Sequence, residues 1–302
     1  MIHATTTRAP AAIGIFPDMP QADYHRLDAT SRSDLLALMR SPAYYQWRLE
    51  HPQPETPAMR IGTAIHTAIL EPDRFARDYA VGPDVKLNTK AGKEQWADFA
   101  QAHPDDVILL RAHEGAQVHA IADAVRKSSA ASKLLQGGGE TETTVVWEDP
   151  ATGVICRARP DRWFKSERGH VVLDLKSTRD AEPRAFRNQI ARAKYDLQLA
   201  FYGDGMCTAL GLDEEPIGAL IAYEKPEAEK GVGDELVTAP PTCSVHVVSP
   251  TAMAAARAEY REVLVALQEC RRIGQWPDFS STVYTYDRPS WAETWSMEER
   301  WR

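Results

Sequence analysis

The sequence predicts one α/β domain, with a helical N-terminal part ahead of a central mixed sheet flanked by helices. Three observations carry this. Apolar residues recur at helical spacing as far as residue 136, and from Thr143 the period becomes that of strands. Long helical stretches then alternate with further strands. Finally, 302 residues with 43% hydrophobic and 26% charged content are an ordinary globular composition, long enough to bury a full core.

Residues 1–28 carry Pro10, Pro17 and Pro20 and are expected to form a poorly ordered leader to a single domain over 29–302. Ser31-Arg32-Ser33-Asp34 offers caps to a helix bearing Leu35, Leu36, Leu38 and Met39. Pro42 breaks that helix and starts another through Tyr44, Tyr45 and Trp47. A linker with Pro52, Pro54 and Pro57 leads into a strongly apolar helix over 58–70, which carries Gly62 and His66. The 29–136 part stays mainly helical apart from the apolar run at 107–110. Gly137-Gly138-Gly139 ends it; lacking the Lys-Ser/Thr of a phosphate loop, the triplet reads as a turn.

The sheet-bearing part covers 140–275. Residues 143–147 form a strand, 148–153 a turn, and 154–161 a second strand antiparallel to the first. Residues 170–176 are nearly continuous in apolar side chains, as a central strand should be. A long helix over roughly 183–210 follows, then strands at 217–223 and 243–248. Ser249-Pro250 opens an amphipathic helix over 251–273, and 276–302 is a tail rich in Trp and Tyr.

No cationic start runs into an apolar core at the N-terminus, and no apolar run reaches the ~18 residues of a spanning helix. A cytoplasmic protein without membrane association is therefore expected. Cys156, Cys207, Cys243 and Cys270 are scattered, with no Cys-x-x-Cys pair, so no iron–sulfur cluster is expected. The formal charge of −8, from 35 Lys/Arg and 43 Asp/Glu, speaks on its face against nucleic acid.

Asp174 and Lys176 stand two apart on a predicted strand, so their side chains leave the same face. Asp161 ends the preceding strand, and a hairpin would bring it beside Asp174. Two converging carboxylates repel unless a cation lies between them, and a hard divalent ion answers that need. Lys176 would then reach the attacking water or the scissile phosphate, orienting or deprotonating the one or neutralising charge on the other. Gln198 and Tyr202, four apart, share a helix face that could meet DNA. Gly62 and His66 are also four apart, the glycine allowing close approach of helix to sheet and the imidazole reaching inward. Each pattern has a plainer alternative: a solvated ion pair, a half-buried helix face, a satisfied core histidine.

In this order, Gly62-x-x-x-His66, Asp161, Asp174-x-Lys176 and Gln198-x-x-x-Tyr202 resemble the PD-(D/E)XK nuclease superfamily, in its RecB-like branch. The flanks SRSDLLALMRSPAYYQW, AMRIGTAIHTAILEPDRF, CRARPDRW and VVLDLKSTRDA are similar to the exonuclease VIII (RecE-type) recombination exonucleases. So are GQWPDFSS and Pro289-Ser290-Trp291-Ala292, and the resemblance spans about residues 25–295. It implies a restriction-endonuclease-like core. It further implies Asp161, Asp174 and His66 as metal ligands, Lys176 as the catalytic lysine, and Gln198 and Tyr202 as substrate-binding residues; Arg159 is a further substrate-binding candidate, with Arg157, Arg187 and Arg192 equally basic. Glu142 matches a recurring acidic position, with Glu140 on the same face as the alternative. Asp174 stands where many superfamily members have Glu.

The implied cofactor is Mg2+, with Mn2+ able to substitute. The implied activity is 5′→3′ digestion of double-stranded DNA from its ends, leaving a 3′ single strand for a RecT-like annealing protein. A homo-oligomeric ring threading DNA is implied too, in a bacterial or phage-infected cell. The rival readings are an endonuclease or single-strand repair nuclease, a catalytically silent DNA-binding protein, and a hydrolase of small molecules. The charge objection eases on local counting. Residues 155–202 hold eleven Lys/Arg and six Asp/Glu, a net +5, against −13 for the remainder. A basic strip inside an acidic shell suits DNA admitted to a channel.

Overall fold

Short polar side chains start the helices where the sequence predicts them. The structure, a computed structural model, describes residues 11–225 (without 53 and 55), 228–230, 236–281 and 283–287. After strand β1 (Gly14–Phe16) and helix α1 (Gln21–Arg26), a capping box between Ser31 and Asp34 opens α2 (Arg32–Arg40). Ser41 caps α3 (Pro42–Glu50), and Thr56 caps α4 (Pro57–Leu70), each with proline at its first position. Helix α5 (Pro72–Asp78), strand β2 (Tyr79–Val81), helix α6 (Lys90–Gln101) and strand β3 (Ile108–Leu110) follow. Helices α7 (Ala112–Lys127) and α8 (Ser129–Leu135) complete the helical part.

The expected leader is a correction. From Gly14 the chain is built into the fold: β1 pairs antiparallel with residues 144–146, and Leu27 and Ala29 are buried. The Arg157 guanidinium donates to the carbonyls of Tyr24 and Leu27 at 2.6 and 2.7 Å, which ties the segment down. Residues 1–10 lie outside the described residues.

The second correction concerns the sheet. Strands β4 (Glu140–Thr141), β5 (Thr144–Glu148), β6 (Ile155–Ala158), β7 (Arg162–Ser166) and β8 (Gly169–Thr178) follow in turn. The expected hairpin of β5 and β6 is present, but with β1 it makes a separate three-stranded sheet. Pro160 has no N–H to give a ladder, and the strand expected over 154–161 stops at Ala158. The strand that pairs antiparallel with β8 is β7, which the sequence reading missed. The central mixed sheet has the order β12-β9-β8-β7-β4. In it β8 runs parallel to β9 (Ile217–Glu224), and the other pairs are antiparallel.

The helix expected over 183–210 is two helices, α9 (Pro183–Ala193) and α10 (Tyr195–Leu210). Lys194 between them is left-handed, with φ 55° and ψ 45°. Neither Gly nor Pro marks that break, so the sequence carried no signal for it. A hairpin of β10 (Ala228–Lys230) and β11 (Leu236–Thr238), also unexpected, precedes β12 (Cys243–Val247) and α11 (Pro250–Ile273). Among the described residues no helix is long and apolar enough to cross a membrane.

Helices cover both faces of the central sheet. Val172, Leu220 and Ala222 pack with Leu197 of α10 and Leu264 of α11. Leu173, Leu175 and Ile221 pack with Ile65 of α4 and Ile121 of α7 on the other side. Asp174 and Lys176 belong by alternation to the row of Val172, and so lie on the α10 side. His66, on α4, comes from the opposite layer.

Candidate active site

The register of β7 on β8 explains how two distant carboxylates meet. Arg162 stands opposite Leu173, and Asp161, one step before β7, comes level with the strand beyond. There β8 has lost its antiparallel partner, so the Leu175 N–H is left without a ladder acceptor. The Asp161 carboxylate takes its place, accepting that N–H at Oδ2 over 2.5 Å. The same oxygen lies 3.5 Å from His66 Nδ1. Tyr223 braces the imidazole edge-on, with ring centroids 6.2 Å apart.

Glu142 enters from a strained turn. Its φ is 51°, unusual for a residue with a side chain, and its N–H donates to the Asp161 carbonyl at 3.2 Å. His66, Glu142 and Asp161 thereby bring one ligand atom each to within 4.8 Å of one another. Glu140 is turned away, accepting from the Thr143 hydroxyl, so Glu142 is the acidic residue that reaches the site. Asp174 is held differently. Gln198 Nε2 donates to its Oδ1 at 2.8 Å, and its Oδ2 contacts the Lys176 ammonium.

The electrostatics of this group are those of crowded acids. Burial, then repulsion from Asp161, raises Glu142 to about 7 despite Arg159 beside it. Burial and Asp161 together raise Asp174 to about 6, against the pull of Lys176. Burial alone would also raise Asp161, but His66, Lys176 and the Leu175 N–H outweigh it and hold the carboxyl low. Burial would lower His66, and the neighbouring Asp161 more than reverses that. Carboxylates that raise the proton affinity of one another and of a neighbouring imidazole suit a divalent cation, which would relieve their repulsion. His66, Glu142 and Asp161 are the residues that would hold it, with Asp174 next to them.

The site opens into a cleft of about 1000 Å³, with Met19, Met59, Tyr195 and Lys225 among its walls. Two of the residues expected to bind substrate are turned inward instead, while the third, Arg159, lines the cleft. Gln198 and Tyr202 do share a helix face, but it packs into the protein: they are 5% and 8% exposed. Arg159 donates to Glu142 Oε2 at 3.0 Å and to the Met19 carbonyl at 2.9 Å, linking the N-terminal segment to the site. Gly62 also differs from expectation. A Cβ there would meet nothing within 4 Å, so this glycine borders the cleft and does not permit close packing. Close approaches of helix to strand that need glycine are at Gly205, where a Cβ would lie 2.6 Å from the Trp147 ring, and at Gly115, where it would lie 2.5 Å from Val81. The sequence reading missed Tyr195, whose spacing from Gln198 (three residues, one helix face) was the available signal.

The profile of the PDDEXK-like domain of unknown function (DUF3799) matches residues 31–287. The chain belongs to this family. A PDDEXK-like assignment agrees with the fold, a PD-(D/E)XK core of mixed sheet and flanking helices with a helical N-terminal part. A crystal structure of a Eubacterium rectale protein, provisionally assigned as an exonuclease, superposes with a TM-score of 0.58 at 11% identity. The match covers 90% of this PDDEXK-like chain and 96% of the other, and shows a shared fold. A second solved structure, of SSO0001, aligns at TM-score 0.26 and 16% identity over 52% of this chain and 69% of its own, too slight to bear on the fold. No curated protein matches the chain significantly.

Proposed function

We propose that the chain is a divalent-metal-dependent deoxyribonuclease of the RecE type, digesting double-stranded DNA 5′→3′ from its ends. The observation that carries this reading is the meeting of His66, Glu142, Asp161 and Asp174 with Lys176 beside an open cleft. A divalent ion held by these residues would polarise a phosphate oxygen and acidify a water. Among these carboxyls Asp161 is the one held below its ordinary range, because His66, Lys176 and the Leu175 N–H stabilise its anion, and this suits it to hold such an ion. Lys176 offers a positive charge at the cleft, where negative charge builds on the phosphate in the transition state. Gln198 keeps Asp174 oriented.

The likeness to a protein provisionally assigned as an exonuclease supports the reading. Mg2+ is the expected ion, with Mn2+ as a substitute. The 3′ overhang would pass to a RecT-like annealing protein, and a ring of identical subunits would keep the enzyme on its DNA. These finer points rest on the family resemblance of the sequence.

The test is digestion of linear duplex labelled at each strand end separately, with Mg2+ or EDTA, beside closed circular DNA. Loss of 5′ label first, only with Mg2+ and only from linear DNA, is expected. Lys176→Ala should lower the rate by about 100-fold to 1000-fold, the range for removing a charge-stabilising group. Equal attack on circles would replace the exonuclease with an endonuclease. Undiminished cleavage by folded Lys176→Ala would overturn the mechanism.

A further inference from the structure

We propose that Tyr195 is a positioning residue for Lys176, its ring holding the ammonium at the cleft when Asp174 turns toward a cation. The inference rests on the nuclease reading above. Lys176 Nζ lies 4.8 Å from the centroid of the Tyr195 ring, inside cation–π range. The ammonium thus contacts this ring and the Asp174 carboxylate, and it also feels the charge of Asp161. A carboxylate that faces a divalent ion gives up much of its hold on a lysine. An aromatic face keeps its hold, because a hard cation seeks oxygen donors and does not compete for the ring.

The ring is itself anchored to the strand that carries the lysine. Tyr195 opens α10 directly after the left-handed Lys194. Its hydroxyl lies 3.4 Å from Gln189 Nε2, and Gln189 Oε1 accepts the Thr178 hydroxyl at 2.7 Å. Thr178 is two residues beyond Lys176 on β8. Phe186 packs near the ring at 6.1 Å, and the Arg32 guanidinium, bonded to the Ala193 carbonyl, stays farther from the centroid than the lysine, at 5.8 Å. Gln198, three residues on, leaves the same helix face to hold Asp174. One turn of α10 therefore supports both members of the Asp174–Lys176 pair.

Tyr195→Leu and Tyr195→Phe separate ring from hydroxyl, and thermal melts confirm that both fold. Two readouts apply: Mg2+-dependent cleavage of linear duplex, and the rate at which acetic anhydride acetylates Lys176, followed by mass spectrometry without metal or DNA. Tyr195→Leu should lower kcat about 10-fold with KM within about twofold, and should speed Lys176 acetylation severalfold. Tyr195→Phe should stay within about twofold of wild type in both. Wild-type kcat or wild-type acetylation in Tyr195→Leu overturns the proposal. So does an equal loss in Tyr195→Phe, which would make the hydroxyl the active part, or a change confined to KM, which would make the ring a substrate contact. If the wild-type protein cleaves no DNA, the nuclease reading fails and acetylation alone decides this one.

Discussion

Gln198 Nε2 donates to Asp174 Oδ1 at 2.8 Å, so an amide on α10 fixes a buried carboxylate on β8. The contact makes a residue expected at the DNA the support of a carboxylate in the candidate metal site. Partners that orient ligating groups typically govern metal affinity by about 10-fold to 100-fold. Gln198→Ala should weaken Mg2+ binding in that range while leaving duplex DNA binding in Ca2+ nearly unchanged. Titration calorimetry of the ion and a DNA-binding assay read the two. A loss in DNA binding alone would return Gln198 to the substrate.

Glu142 and Asp174 are held above their ordinary values of 4.5 and 3.8, at about 7 and about 6. Across that window the folded protein binds more protons than the unfolded chain, so metal-free stability falls as pH rises from about 4 to about 7. His66, raised by Asp161, adds to the same trend, whereas depressed Asp161 contributes stability that is lost only as pH falls through its range. In EDTA the melting temperature should be lower at pH 8 than at pH 5.5. Mg2+ should raise it more at pH 8. A protein that grows more stable with pH in EDTA would contradict the crowding of these acids.

Gly62→Ala tests the revised role of that glycine. Nothing lies within 4 Å of the added methyl, and alanine in a helix interior gains about 0.5–1 kcal/mol over glycine. The variant should melt higher than wild type. Destabilisation would mean that α4 packs closer at this point than the structure has it.

Deleting residues 1–28 removes β1 and both carbonyls that receive the Arg157 guanidinium. Arg157 is 5% exposed, and the deletion takes both of these charge-assisted hydrogen bonds, each worth about 1.5–3 kcal/mol. Arg159 would also lose the Met19 carbonyl and with it a fixed hold on Glu142. Denaturant unfolding should show the midpoint falling sharply. An unchanged midpoint would restore the segment to a loose leader.

Much of the site was legible because its rules are local. The pairing of Asp174 with Lys176 on one strand face follows from the two-residue period, and β8 keeps it. The spacing of Gln198 and Tyr202 predicted a shared face correctly; which way that face turned depended on α10 packing against β8 and β9. The boundary between strands 6 and 7 was not legible in full, since the alternation of residues 162–166 was short and ran on from a predicted strand.

The chain order alone nominated the candidate site residues and told which of them lie side by side within one helix or strand, because backbone periodicity dictates that. Neighbours from different elements were beyond its reach. Glu142 meets Asp161 through a left-handed turn and a backbone hydrogen bond between strands, and Tyr195 meets Lys176 across 19 positions of sequence. Such contacts depend on strand register and on a helix break at Lys194, features set by packing of the whole domain and marked by no residue of special backbone preference.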